Sequence, residues 1–128
     1  MDTKLRNIIL LVAAVLLVVA GLFYFLWAQE SGPGKLDDFA KCLGEKGAKF
    51  YGAFWCPHCQ SEKALFGSSK KYLPYVECST PDSNGQLQVC KDQQIKVYPT
   101  WKFADGSVNE GEMTLKELVD KTGCVLPQ

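Results

Sequence analysis

The chain is short and electrically balanced, and it is rich in cysteine. Its 128 residues are enough for one small domain with appendages, and 14 basic side chains against 14 acidic ones give a formal net charge of zero. This balance lacks the basic excess that a nucleic-acid-binding surface requires. Six cysteines in so few residues indicate an oxidising compartment, where disulfides persist, or a metal site.

A charge-free apolar run near the N-terminus predicts a membrane anchor over residues 8–27. At about 1.5 Å of rise per residue, a helix of this length crosses a hydrocarbon core of about 30 Å. Lys4 and Arg6 precede the run, which favours a cytoplasmic N-terminus over residues 1–7. The chain is then a single-pass protein of the cell membrane with an extracytoplasmic domain. A cleaved signal peptide is the alternative, but its apolar region is normally shorter, and residues 26–28 match a cleavage site poorly.

A short linker is predicted between the anchor and the domain. Residues 28–35, AQESGPGK, contain two glycines and a proline, a composition typical of connecting segments. At full extension they reach roughly 25 Å. The domain predicted over residues 36–128 would therefore stay close to the membrane surface.

The domain is predicted to alternate between helices and strands. The predicted elements, in chain order, are a helix over 36–46, a strand over 48–54, a helix over 56–67, a strand over 74–78, a short helix over 86–94, strands over 100–104 and 107–110, and a final helix. The Asp105-Gly106 pair indicates a hairpin between the last two strands, and Thr114 with Glu117 forms a capping box for the final helix. This order predicts a mixed α/β fold with a small sheet covered by helices on both faces.

The motif Cys56-Pro57-His58-Cys59 begins the second helix of the domain. Proline suits the first helical turn, where its missing N–H costs nothing. Cys56 would then lie at the helix N-terminus, where free backbone N–H groups and the helix dipole favour its thiolate, the reactive form. Cys59, one turn on, would be placed to attack a mixed disulfide. His58, the only histidine of the chain, would add a donor near Cys56, and a stabilised thiolate makes a disulfide more oxidising.

Two other uses of the cysteine pair are weaker. A zinc site needs two more ligands at suitable spacing, and Cys78 and Cys90, separated by 11 residues, are not a second Cys-x-x-Cys pair. A purely structural disulfide between Cys56 and Cys59 would close so small a loop that it would constrain the unfolded chain very little. The sequence therefore predicts a redox couple, no metal and no cofactor beyond the Cys56–Cys59 disulfide.

Two segments resemble the thioredoxin family. Residues 53–59, AFWCPHC, are similar to its active-site signature, and residues 97–100, VYPT, are similar to its cis-proline loop. The resemblance covers roughly residues 36–123 and implies a thioredoxin-like fold. It also implies that Cys56 is the nucleophile and Cys59 the resolving thiol.

The same resemblance implies roles for the loop and for the dipeptide between the cysteines. Pro99 would face the cysteines, and the backbone of Tyr98 would pair with an extended substrate strand. The dipeptide Pro57-His58 resembles that of the oxidising members, such as the periplasmic disulfide-donating oxidases. The chain is therefore expected to be a thiol–disulfide oxidoreductase acting on protein thiols and disulfides, working as an oxidase.

A closer resemblance concerns the membrane. The segments GAFWCPHCQ, YVECS and YPTW are similar to the thioredoxin-like domain that is fused to, or partnered with, bacterial homologues of vitamin K epoxide reductase. Those membrane enzymes pass electrons from such a domain to quinone. The resemblance implies a quinone-linked membrane partner, and a chain with one predicted span would be the detached half of that pair.

One position departs from the thioredoxin pattern. Thioredoxins carry a buried acid six residues before the first cysteine as a proton acceptor, and here that position is Phe50. Neither Lys49 nor Glu62 can be assigned the role from the sequence. The direction of electron flow is also open. A membrane-tethered reductase and a non-catalytic thioredoxin-like binding module therefore stay as alternatives.

The other four cysteines are treated as two pairs. Cys78 and Cys90 are expected to form a structural disulfide, which at this loop length would contribute about 3 kcal/mol; buried free thiols or a second redox pair are the alternatives. The pairing of Cys42 and Cys124 is left open. In a thioredoxin-like arrangement the first and last helices would cover opposite sheet faces, which opposes a bond, although a tail beyond the last helix could curl round.

Three aromatic residues are candidates for a substrate-binding rim beside Cys56. Trp55 is the candidate for substrate binding, Phe54 is expected in the core, and Trp101 is equally compatible with either environment.

Overall fold

The computed structural model describes residues 2–30 and 33–128, and the chain divides at the gap between them into two units. The first unit is a single helix, α1 (Thr3–Glu30). Its segment Thr3–Ala28 is long and apolar enough to cross a membrane, a property that a signal sequence shares. Because α1 continues to Glu30, the predicted linker begins inside the helix, and its residues 31 and 32 lie outside the described residues.

The second unit contains a four-stranded mixed sheet with helices around it. Its elements are α2 (Asp37–Glu45), β1 (Lys49–Gly52), α3 (Pro57–Leu65), a 3₁₀ helix (Gly67–Tyr72), β2 (Tyr75–Glu77), α4 (Gln88–Asp92), β3 (Thr100–Lys102), β4 (Val108–Glu110) and α5 (Leu115–Thr122). The strand order is β2-β1-β3-β4, with β1 parallel to β2 and antiparallel to β3, and β3 antiparallel to β4. The predicted mixed α/β architecture is confirmed, while the 3₁₀ helix was not predicted.

Two structures that local sequence patterns predicted are present, the capping box of α5 and the β3–β4 hairpin. Thr114 accepts a hydrogen bond from the backbone of Glu117, and the Glu117 carboxylate accepts one from the backbone of Thr114. This reciprocal capping box begins α5. The β3–β4 hairpin turns at Gly106, whose φ of +82° suits a residue without a side chain.

Alternate residues of β1 face opposite sides of the sheet. Phe50 stacks on Trp101, with ring centroids 4.8 Å apart, and both belong to the larger hydrophobic cluster. Tyr51 belongs to a smaller cluster on the other side, together with Cys78, Cys90 and Ile95. Each face of the sheet is therefore covered, as a strand buried on both sides requires.

The expectation that the first and last domain helices lie on opposite faces is wrong. Leu43 of α2 and Leu118 of α5 are both fully buried in the larger cluster. Helix α5 ends at Gly123 in the left-handed conformation (φ 73°), a common helix stop, and the next residue, Cys124, turns into that cluster. Cys124 is bonded to Cys42, with Cα atoms 5.9 Å apart, so the tail reaches α2 and settles the pairing that the sequence left open.

Candidate active site

Cys56 is the N-cap residue of α3. Its backbone is extended, and its Sγ accepts a hydrogen bond from the backbone N–H of Cys59 at 3.3 Å. Pro57 occupies the first helical turn, where no partner for an N–H is lost. The sulfur therefore faces the end of α3 at which backbone donors are free, as the sequence indicated.

The loop before β3 covers the other side of Cys56. The peptide between Tyr98 and Pro99 is cis, and the Cys56 thiol lies 3.7 Å from the carbonyl oxygen of Tyr98, to which it donates. Pro99 is almost fully buried directly after it. The structure thus brings Cys56 and Tyr98 together across 42 residues of chain.

Cys59 lies on the floor of the site, fully buried. A Cβ atom placed on Gly52 would be 2.8 Å from the Cys59 sulfur and 3.0 Å from Cε2 of Tyr75, so the absence of a side chain on Gly52 makes room for the thiol. Burial, followed by the hydrogen bond with Cys56, raises the pKa of Cys59 to about 12. Both cysteines are free and buried, Cys56 with 5% of its surface exposed and Cys59 with none. They differ in their contacts, because Cys56 caps α3 and reaches the Tyr98 carbonyl, while Cys59 lies one turn further into the core.

Three exposed apolar side chains lie close to Cys56 or Tyr98 along the chain, and we call them, Phe54, Trp55 and Val97, the mouth of the site. Their exposed fractions are 46%, 46% and 44%. The indole N–H of Trp55 donates to the Ser79 hydroxyl at 2.8 Å, and its ring packs edge-on against Tyr98. Trp55 is therefore exposed yet fixed in orientation.

The structure overturns one expectation about these aromatic residues and decides another that the sequence left open. The prediction that Phe54 lies in the core is wrong: its backbone is held in a turn by Glu77 and Gln60, and its side chain is left exposed. Trp101 is fully buried and takes no part in the mouth.

The imidazole of His58 contacts the segment between β4 and α5. Its Nδ1 lies 2.5 Å from Oε1 of Glu112, with the two side chains 73% and 42% exposed. The sequence did not indicate Glu112, which lies 54 residues from His58 and carries no motif. The contact ties the exposed edge of α3 to the chain before α5.

Glu62 is a fully buried carboxyl one turn beyond Cys59. Its Oε1 accepts hydrogen bonds from the indole N–H of Trp101 at 2.6 Å and from the backbone N–H of Met113 at 3.0 Å, while Oε2 has no partner among the described residues. Burial, with smaller contributions from nearby acids, raises the pKa of Glu62 to about 7. From the sequence alone, Glu62 could be named but not assigned a role. The structure makes it the link between α3, β3 and the segment before α5, while Lys49 is exposed.

Cys78 and Cys90 form a disulfide with Cα atoms 5.5 Å apart. Both are fully buried in the smaller cluster, across the sheet from the cluster that contains Cys56 and Cys59. This position suits a structural bond and offers no direct path for exchange with Cys59. In the described part of the chain, no group of three or more His, Cys, Asp or Glu side chains is placed to hold a metal ion.

The mixed sheet, the cysteine pair at a helix start and the cis-proline loop beside it are those of a thioredoxin-like fold. The chain is 46% identical over 94 residues to the thiol-disulfide oxidoreductase LTO1 of Arabidopsis thaliana, which covers 70% of this chain and 24% of that protein. It is 33% identical over 97 residues to a thioredoxin domain-containing protein 5 homolog of Drosophila melanogaster, which covers 64% and 22% respectively. The chain thus spans about a quarter of the length of these relatives. No protein-family model matches it.

Proposed function

We propose that this chain is a membrane-anchored, extracytoplasmic thiol–disulfide oxidoreductase that exchanges disulfides with protein substrates through Cys56 and Cys59. The observation that carries the proposal is the placement of the Cys56 sulfur. It lies at the start of α3, within reach of the Cys59 backbone N–H and the Tyr98 carbonyl, with the second thiol buried directly below. The name of the Arabidopsis relative supports this reaction class.

In the oxidising direction, the Cys56–Cys59 disulfide is the electron acceptor. A substrate thiolate attacks the Cys56 sulfur, the bond between the two cysteines breaks, and Cys59 leaves as a thiolate that takes up a proton. A second substrate thiolate then attacks the mixed disulfide, which releases an oxidised substrate and a reduced Cys56. The substrate has lost two electrons, and the helix N-terminus stabilises the departing Cys56 thiolate.

The surroundings of Cys56 favour extended, partly apolar substrates. The mouth offers three exposed apolar side chains, and the backbone at Tyr98 lies beside the reacting sulfur. A substrate segment lying along Tyr98 would make strand-like hydrogen bonds, with side-chain contacts to the mouth. Unfolded or partly folded proteins expose such segments, so they are the proposed substrate class.

The proposed location of the domain and its proposed membrane partner rest on the sequence. The apolar helix can span a membrane, and Lys4 and Arg6 favour an outer position for the domain. Repeated oxidation requires an acceptor for two electrons per turnover. A quinone-linked membrane enzyme resembling vitamin K epoxide reductase is the proposed acceptor, on the sequence resemblance alone. Pro57-His58 favours the oxidase direction, so a reduction potential closer to about −120 mV than to about −270 mV is expected.

The deciding experiment uses a Cys59→Ser variant of the full chain. Without the second thiol, a mixed disulfide at Cys56 cannot be resolved from within the protein, so substrates and the membrane partner should accumulate as adducts that reductant releases. Cys56→Ser is the matched control and should trap nothing. Non-reducing electrophoresis followed by mass spectrometry identifies the trapped proteins.

The alternative is a membrane-tethered binding module, for which Phe50 in place of the acid is the supporting observation. Such a module would give no adducts with Cys59→Ser and would bind the same proteins with Cys56→Ser as with the unaltered chain. Adducts together with a potential near about −270 mV would instead favour the tethered reductase.

A further inference from the structure

We propose that Lys63 is the charge partner of Cys59: its ammonium group stabilises the Cys59 thiolate as that thiolate attacks a mixed disulfide at Cys56. The inference rests on the proposed exchange function and assigns a residue to its resolving step. Lys63 belongs to no sequence motif.

Lys63 and Cys59 both lie close to Tyr75. Lys63 follows Cys59 by four residues on α3, so the two side chains share a helix face. Its Nζ lies 3.1 Å from the centroid of the Tyr75 ring. The same ring has an atom 3.0 Å from the position that a Cβ on Gly52 would take, and the Cys59 sulfur is 2.8 Å from that position. Tyr75 therefore contacts the cation and also borders the space beside Gly52 in which the Cys59 sulfur lies.

In the part of the chain that the structure describes, no ion pair holds the Lys63 ammonium group, although the Glu77 carboxylate acts on its charge more strongly than Cys59 does. Among the described residues, no carboxylate lies within ion-pair distance of its Nζ. The acid of β2, Glu77, is already engaged: it accepts hydrogen bonds from the Tyr75 hydroxyl and from three backbone N–H groups. Desolvation lowers the pKa of Lys63, and an ammonium group that is partly removed from water gains more from a nearby anion. The titratable groups that act on Lys63 are Glu77, Cys59, Lys70 and Cys56.

The resolving step needs this help because Cys59 is buried. Its thiol must lose a proton to become the attacking thiolate, and burial opposes that loss. With the thiolate formed, a bond forms between the two cysteine sulfurs, the bond from Cys56 to the substrate sulfur breaks, and the substrate thiolate leaves and is protonated by solvent. The two cysteines lose two electrons, and the substrate gains them. A cation one helical turn from Cys59 lowers the cost of forming the anion without itself moving a proton.

The test follows the resolving step directly. The reduced full-length chain in detergent is mixed with glutathione disulfide, quenched with acid at intervals, and analysed by mass spectrometry for the Cys56–glutathione adduct. Attack by Cys56 forms the adduct, and attack by Cys59 removes it. Lys63→Met keeps an aliphatic stem but not the charge, so we expect adduct decay to slow about tenfold at neutral pH, as for a thiol whose pKa rises by about one unit. Adduct formation should be unchanged.

Two controls separate charge from packing. Lys63→Arg keeps a cation and should restore decay to within about threefold of the unaltered rate. Lys41→Met removes another lysine that lies over a ring, with Nζ 4.4 Å from the Tyr72 centroid, but on α2, and should decay like the unaltered chain. In Lys63→Met, the Cys56–glutathione adduct should also need a pH about one unit higher to decay at the rate seen in the unaltered chain.

The outcomes distinguish this inference from the function on which it rests. If Lys63→Met decays at the unaltered rate, if Lys63→Arg is as slow as Lys63→Met, or if formation and decay slow together, Lys63 is not the charge partner. If the unaltered chain forms no adduct and Cys59→Ser accumulates none, the exchange function itself fails, whatever the Lys63 variants do.

Discussion

The two ends of the first turn of α3 give the same functional group different contacts. Next to the mouth, Cys56 is 5% exposed, accepts a hydrogen bond from the Cys59 backbone N–H and donates one to the Tyr98 carbonyl. On the floor, three residues below, Cys59 is fully buried and its pKa is raised. In the proposed exchange reaction, this difference of one helical turn would let Cys56 react with other proteins first and Cys59 only after a mixed disulfide has formed beside it. Sequence spacing alone does not produce this asymmetry; the packing of α3 on the sheet does.

The largest expected effect comes from replacing each cysteine of the couple by serine in turn. Cys56→Ser should reduce single-turnover reaction with glutathione disulfide at least about a thousandfold, because a serine hydroxyl is not an exchange nucleophile. Cys59→Ser should keep the first step near the unaltered rate and stop before release. Stopped-flow or quenched-flow kinetics measure both. Equal loss of the first step in the two variants would contradict the assignment of mouth and floor.

The next effect concerns the stability of the floor. Glu62→Leu removes the acceptor for two buried N–H groups, those of Trp101 and Met113, and should cost about 2 to 4 kcal/mol of unfolding free energy. Glu62→Gln is the matched control because it keeps an acceptor oxygen. Urea unfolding of the chain in detergent measures the difference, and a Glu62→Leu loss below about 1 kcal/mol would show that these hydrogen bonds contribute little.

The same pair of variants tests the pH dependence of the floor. The pKa of Glu62 is about 7 in the folded state against 4.5 ordinarily, so the folded chain binds more protons than the unfolded chain between those values. The stability that Glu62 contributes is therefore fully present below pH 4.5 and is lost as pH rises through about 7. Relative to Glu62→Gln, the unaltered chain should lose roughly 2 to 3 kcal/mol across this window; a constant difference would contradict it.

A smaller effect is expected at the mouth, on substrates and not on the chemistry. Trp55→Ala should raise KM for an apolar cysteine-containing peptide about fivefold to tenfold, as loss of an exposed aromatic contact usually does, while leaving the reaction with glutathione disulfide unchanged. Ser79→Ala, which frees the indole N–H of Trp55, should change KM in the same direction but less. A parallel loss of both reactions would place Trp55 in the structure of the site instead.

The smallest effect should come from the exposed contact between His58 and Glu112. Exposed pairs are worth about 0.2 to 1 kcal/mol, so Glu112→Gln should change the reduction potential by less than about 20 mV. Equilibration with glutathione measures the shift. A larger change would show that Glu112 controls the couple through His58.

Local signals predicted the parts of the molecule that depend on neighbouring residues. Pro57 and the capping box at Thr114 depend on residues within one turn, and both took the expected places. The position of Cys56 as the N-cap of α3 likewise depends only on the residues around it, whereas its contact with Tyr98 depends on the fold. These features can be predicted from the sequence because they depend on neighbouring residues and not on tertiary contacts.

Other features depend on which distant residues the sheet brings together. The partner of Glu62, Trp101, is 39 residues away, and no local pattern marks either as half of a buried pair. Phe54 looks like a core residue, yet its turn exposes it. The position of Cys124 depended on how the chain continues beyond Gly123, which decided the bond to Cys42.

The bond between Cys42 and Cys124 closes a covalent ring of chain that contains both sulfurs of the couple and the loop beside them. A protease that cuts one exposed loop within this ring leaves two fragments still joined. Such a nicked molecule should migrate as a single species until it is reduced, with every piece still covalently joined to α1. If α1 is the proposed membrane anchor, a cut within the ring would leave the whole domain at the membrane.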